Sequence, residues 1–176
     1  MRSMFTILPL LLALSSQAEA RKPEDVYGGR ILHSEKAYPT TSKSPAAFTA
    51  AIKKQSTDRF VEDKEKKQWK VHYAAFFRKP LNDLEVTVKL FDVTGGAMRM
   101  VESFQQYLDA RGQRVILGNL KLKKGDGGYE PNTKILMVME ADGKAVAQGG
   151  FYILGEGRKY SGKVEFSEEE TTKKEE

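Results

Sequence analysis

The chain has 176 residues, 40% apolar and 30% charged, with a formal net charge of +5. It contains no cysteine, which excludes disulfides, thiol nucleophiles, lipid attachment to a cysteine, zinc–thiolate clusters and iron–sulfur sites. The basic excess sits in residues 21–80, with fourteen Lys/Arg against seven Asp/Glu, whereas residues 81–176 hold fourteen against sixteen.

Residues 1–20, MRSMFTILPLLLALSSQAEA, have the layout of a signal peptide: Arg2, an apolar run from Met4 to Leu14, then Ala18-Glu19-Ala20 as an A-x-A cleavage site. The apolar run is shorter than the roughly 20 residues a bilayer span needs. Cleavage after Ala20 is expected, with a periplasmic or secreted product that builds one domain without staples. Export would remove nucleic acid as the partner of the basic half and leave an anionic envelope surface, an acidic protein, or a plain solvated charged face with no partner.

Residues 21–43 read as an N-terminal arm and loop in which only Arg30 to His33 suits a short strand. Residues 44–67 read as a helical segment. Ser44 is a favoured N-cap and Pro45 a favoured first helical residue. Phe48, Ala51, Ile52 and Gln55 follow at helical spacing, and Phe60 extends the stripe. Glu62–Lys66 and Asp63–Lys67 have the i,i+4 spacing of helix ion pairs. One long helix, or two joined near Ser56-Thr57-Asp58, fits equally.

From residue 68 the period becomes two, and residues 68–167 read as a β-sandwich. WKVHYAAFF (69–77) places Trp69, Val71, Tyr73, Ala75 and Phe77 on a core face and Lys70, His72, Ala74 and Phe76 on the other. LEVTVKL (84–90) alternates cleanly, and the turn residues Lys79 to Asp83 suggest that these two strands form a hairpin. Arg99 to Leu108 reads as strand, with helix as the alternative because of Gln105-Gln106. Arg114 to Lys123 loses phase at Gly118-Asn119, where a bulge is expected. Lys134 to Ala141 is a buried strand, Asp142-Gly143 a two-residue hairpin turn, and Lys144 to Leu154 the return strand. Gly149-Gly150 within it marks a bulge or a close backbone approach. Tyr160 to Ser167 reads as a last strand and residues 168–176 as a disordered charged tail. About seven short strands separated by turn signals predict a mainly β, antiparallel, Ig-like β-sandwich with one helical segment packed on it, a small barrel being the alternative.

Catalytic signals are sparse. No H-E-x-x-H, G-x-S-x-G, phosphate-loop or dinucleotide-loop pattern occurs, and two histidines are too few for a three-histidine zinc site. His72 shares its face with Lys70 and is expected to be wet, and His33 lies in a loop-like stretch. No catalytic, cofactor or metal residue is assigned. Phe76, Phe91 and Tyr152 fall on faces opposite the expected core. They form a partner-binding patch if the helical segment leaves them bare, or a second core layer if it covers them.

The stretch from Trp69 through LNDLEVTVKLFDV to ADGKAVAQGGFYILGE resembles small exported β-sandwich proteins of Gram-negative, particularly deltaproteobacterial, envelopes. The resemblance implies the fold and an envelope location and carries across no functional residue. The expected role is a non-enzymatic module that binds an envelope protein through a strand edge or aromatic patch. Two other roles are open: a glycan hydrolase using Asp83 or Asp92 with a second acid, and an anionic-lipid binder using Lys53, Lys54, Lys64, Lys66 and Lys67.

Overall fold

The computed structural model describes residues 22–155. The expected signal peptide, the strand over 160–167 and the tail lie outside them. In chain order the elements are α1 (Pro23–Tyr27), β1 (Arg30–Ser34), α2 (Pro45–Gln55), β2 (Arg59–Val61), β3 (Gln68–Leu81), β4 (Glu85–Asp92), β5 (Arg99–Tyr107), β6 (Gln113–Lys123), a 3-10 turn (Asp126–Gly128), β7 (Thr133–Ala141) and β8 (Lys144–Leu154).

The eight strands form one sheet in the order β5-β4-β7-β8-β1-β3-β6, with β2 beside β8. All pairings are antiparallel except those of β8 with β1 and β2. The sheet is curled, and one apolar cluster takes side chains from both its β5-β4-β7-β8 half and its β1-β3-β6 half. Val86, Val88, Leu90, Ile135, Met137 and Phe151 meet Trp69, Val71, Tyr73, Phe77, Ile116 and Leu122 in it. The fold is mainly β and sandwich-like. Among the described residues β5 and β6 are not paired with each other, so the barrel does not close.

Trp69, Val71, Tyr73, Ala75 and Phe77 face this core as the alternation predicts, and the Trp69 indole N–H donates to the Leu154 carbonyl at 2.7 Å. The opposite face of β3 is buried as well. Ala74 and Phe76 lie with Ile52 and Tyr38 in a second cluster that also takes Phe48, Leu32, Val115 and Leu117. α2 is therefore the lid of one outer face.

Three sequence expectations are corrected. Helix covers only the first half of residues 44–67. Ser44 caps it, accepting from the Ala47 N–H at 3.1 Å, but it stops at Gln55 and the chain turns into β2. Phe60 is then drawn into the main core, and Glu62 pairs with Lys124 at 3.4 Å rather than with Lys66. Strands β3 and β4 do not form a hairpin. β3 pairs with β1 and β6, and β4 with β5 and β7, because each needs partners on both edges and their own connection is spent crossing between the sheet halves. The register of β6 shows no bulge at Gly118-Asn119. Val115 and Leu117 break phase because they face α2 while Ile116, Leu120 and Leu122 face the main core. The β7–β8 hairpin is as expected, with Asp142 and Gly143 both at positive φ (49° and 70°).

Candidate interaction surface

The three aromatic candidates have different fates. Phe76 is 0% exposed, under α2 and 5.5 Å from the Tyr27 ring, so it belongs to the second core layer and not to a partner site. Phe91 and Tyr152 remain half-buried at the surface. They lie on the outer face of the other sheet half, and cross-strand register shows what separates them. Met100, Phe91, Leu136 and Gly150 are successive neighbours on β5, β4, β7 and β8. Residues paired across an antiparallel ladder point to the same side. Phe91 follows core-facing Leu90, so this row points outward. Lys134 and Tyr152 form the adjacent outward pair, with the ammonium 5.5 Å from the ring centroid. Met100 and its neighbour Met98 are each 58% exposed.

Sequence reasoning found Phe91 and Tyr152 but missed Leu136 and Met100, because which residues flank Phe91 depends on pairing between strands distant in sequence. Gly150 adds no side chain to this row, so the floor between Leu136 and β8 is low. Beside it opens a cleft of about 400 Å³ lined by Leu136, Gln148, Gly149, Gly150, Gly29 and Arg30. The cleft arises where β1 and β8 part after their single paired position, Arg30 with Gln148. Gly149 is required there, since a Cβ would overlap the Ile31 carbonyl. That is the close backbone approach expected of the glycine pair.

His33 is not in a loop. It lies within β1 at 3% exposure, its ring 4.6 Å from that of Phe151, and its Nε2 finds no partner among the described residues. Burial holds it neutral, with a pKa lowered to about 3. His72 is half-buried rather than wet. Burial and then the neighbouring Lys70 lower its pKa.

Asp83 and Asp92 do not come together, and only Asp83 shares a cleft with further acids. Asp83 lies with Glu85, Glu140 and Asp142 around a shallow cleft of about 270 Å³, and Glu140 there is held by Lys89 at 2.6 Å. Asp92 lies at the far end of β4, where its carboxylate accepts from the Thr94 N–H and hydroxyl and from Arg99. These bonds lower its pKa and make it a turn anchor. Among the described residues no group of His, Asp and Glu could hold a metal ion. The lysines fall on two segments. Lys53 and Lys54 are in the last turn of α2; Lys64, Lys66 and Lys67 are in the β2–β3 turn, where Lys66 meets Asp63 at 3.7 Å. No helix among the described residues is long and apolar enough to cross a membrane.

No protein-family model and no curated protein matches the chain. Among solved structures it is similar to an immunoglobulin-like protein from Pseudomonas aeruginosa, at 9% identity and a TM-score of 0.36, over 72% of this chain and 94% of that one. It is also similar to a "putative beta-galactosidase" from Bacteroides fragilis, at 18% identity and a TM-score of 0.28, over 48% of this chain. The match spans only 14% of that larger protein. Neither likeness bears on activity.

Proposed function

We infer that the protein is an exported, non-enzymatic interaction module of the bacterial envelope, and that it holds a protein partner on the outer face of the β5-β4-β7-β8 half. The observation that carries this reading is an asymmetry between the two outer faces. One is sealed by α2 over Phe76, Val115 and Leu117. The other leaves Phe91, Leu136 and Met100 in a row without a covering element among the described residues, beside the Gly149-Gly150 cleft and the Lys134–Tyr152 pair. Contiguous apolar rows of this kind, rimmed by charge, are partner surfaces. The rim here is Lys134 and the Lys89–Glu140 pair, which suits a partner with an apolar centre and mixed polar border.

The test is retention of envelope proteins by the immobilised mature chain. Phe91→Ser and Tyr152→Ser each leave the core intact and are expected to weaken the captured complex about tenfold or more, as for central contacts of an interface. His72→Ser, on the other half, is expected to leave it unchanged. Equal retention by all three variants would remove this face as the site.

A further inference from the structure

Among the described residues the path of paired strands ends in β5 and β6, with β2 a short branch on β8. A terminal strand exposes unpaired backbone groups and is ordinarily blunted by lysine, proline or a covering segment. β6, Gln113–Lys123, carries Arg114, Lys121 and Lys123 with no acid, and Lys121 faces Lys70 across the ladder. That edge repels an approaching strand of its own kind. β5 is blunted only at its start, by the register shift opposite Leu90/Phe91 and by the 126–128 turn, whose Gly127 lies beside the Val101 carbonyl. Beyond that lies Ser103-Phe104-Gln105-Gln106-Tyr107, with no charge and no proline, ending in Tyr107 at 68% exposure.

The register shows which backbone groups are free. The Leu108 N–H donates to the Leu84 carbonyl at 2.8 Å, in line with the pairs Val86–Gln106 and Val88–Phe104. Antiparallel ladders alternate between hydrogen-bonded and non-bonded pairs. Phe104, Gln106 and Leu108 therefore turn their backbone groups toward β4, and Ser103, Gln105 and Tyr107 turn theirs to the free edge. The Tyr107 carbonyl is held by the Gln106 side-chain amide at 2.9 Å and keeps a second lone pair.

We propose that this edge pairs with the same edge of a second copy, antiparallel and centred on Gln105. Ser103 then meets Tyr107 of the other copy, Gln105 meets Gln105, and Phe104 meets Gln106, with about six backbone hydrogen bonds from three bonded pairs. No charge opposes a like charge within the paired stretch, in contrast to β6. The exposed Tyr107 ring comes to lie against the other copy's Ser103, across from the two central amides. The contact is isologous and closes on itself, so it stops at a dimer. Its two-fold axis runs perpendicular to the sheet, which sets both Met100–Phe91–Leu136 rows on the same side of one continuous surface. The pairing uses the edge and not the outer face, so it goes beyond the function proposed above and stands or falls separately.

Sedimentation of the purified mature chain over a concentration series tests it. The wild type is expected to dimerise reversibly, and Phe91→Ser to dimerise equally. Gln105 is exposed and bonds only Thr87, so it tolerates charge. Gln105→Lys and Gln105→Glu each place like charges on the axis and are expected to raise the dimer dissociation constant tenfold or more. An equimolar mixture of the two is expected to recover the dimer. Because the chain lacks cysteine, Gln105→Cys supplies a second readout, cross-linking to itself under oxidation where Asn119→Cys on β6 does not. A wild type that stays monomeric, charge variants that dimerise like the wild type, or equal cross-linking at 105 and 119 would overturn the proposal, and so would purification of this edge bound to a different protein.

Discussion

Single residues carry much of the tension in this fold. His33 is buried neutral in the core against Phe151, with a pKa lowered to about 3, while in the unfolded chain it titrates near 6.5. Between those values the unfolded state binds the extra proton, so stability falls as pH falls from about 6.5 toward 3. The slope is about 1.4 kcal/mol per pH unit at most. Urea midpoints of the wild type are expected to drop steadily from pH 6.5 to pH 4.5, and those of His33→Phe to stay nearly level. A wild type as flat as the variant would show that His33 is not the buried neutral group. Gly118 and Tyr73 make a second such pair. The Tyr73 side chain lies across Gly118 and its hydroxyl donates to the Gln106 side chain at 3.1 Å, tying β3 over β6 to β5. A methyl at position 118 would overlap that ring. Gly118→Ala is expected to cost about 1–3 kcal/mol in thermal or urea unfolding, as overpacked sites do. Tyr73→Phe, which removes one hydrogen bond, is expected to cost about 0.5–1.5 kcal/mol. His33 escaped sequence reading because Ser34-Glu35 look like the start of a loop. Nothing local records that β1 is clamped between β3 and β8.

At the scale of elements, starts were legible and ends were not. Ser44-Pro45 marks the first turn of α2 through local chemistry, and the alternation of β3 and β4 marks their inner faces. The end of α2 at Gln55 follows from a tertiary demand, the pairing of β2 with the end of β8, which pulls Phe60 out of the helical stripe and into the core. The same reasoning explains Phe76. Its period-two position marks it as facing away from Trp69, but whether that face is wet depends on α2, whose Ile52 is fully buried against it. Ile52→Ala is expected to destabilise the fold by about 2–5 kcal/mol in chemical denaturation. It is also expected to raise the reactivity of the second cluster to hydrogen exchange without changing the core around Trp69. If α2 were a loosely docked appendage, the substitution would cost well under 1 kcal/mol.

For the whole molecule, the sequence carried the class but not the map. Turn residues and short alternating runs were enough for a mainly β sandwich-like fold with one helix on it. They did not say that β3 and β4 lie in opposite halves, because pairing across the sheet is decided by side chains far apart along the chain. The candidate surface depends on that map. Phe91 and Tyr152 were visible as outward aromatics, but Leu136, Met100 and the cleft beside Gly149 join them only through the order β5-β4-β7-β8. Among the described residues, one outer face is closed by the protein's own helix and the other presents an apolar row. This second face is the proposed seat of the partner. The most direct measurement places a photo-reactive side chain at position 91 in growing cells, with position 70 on the other half as the comparison. Position 91 is expected to cross-link to a distinct envelope protein, and position 70 is not. Equal labelling at both positions, or none at 91, would contradict it.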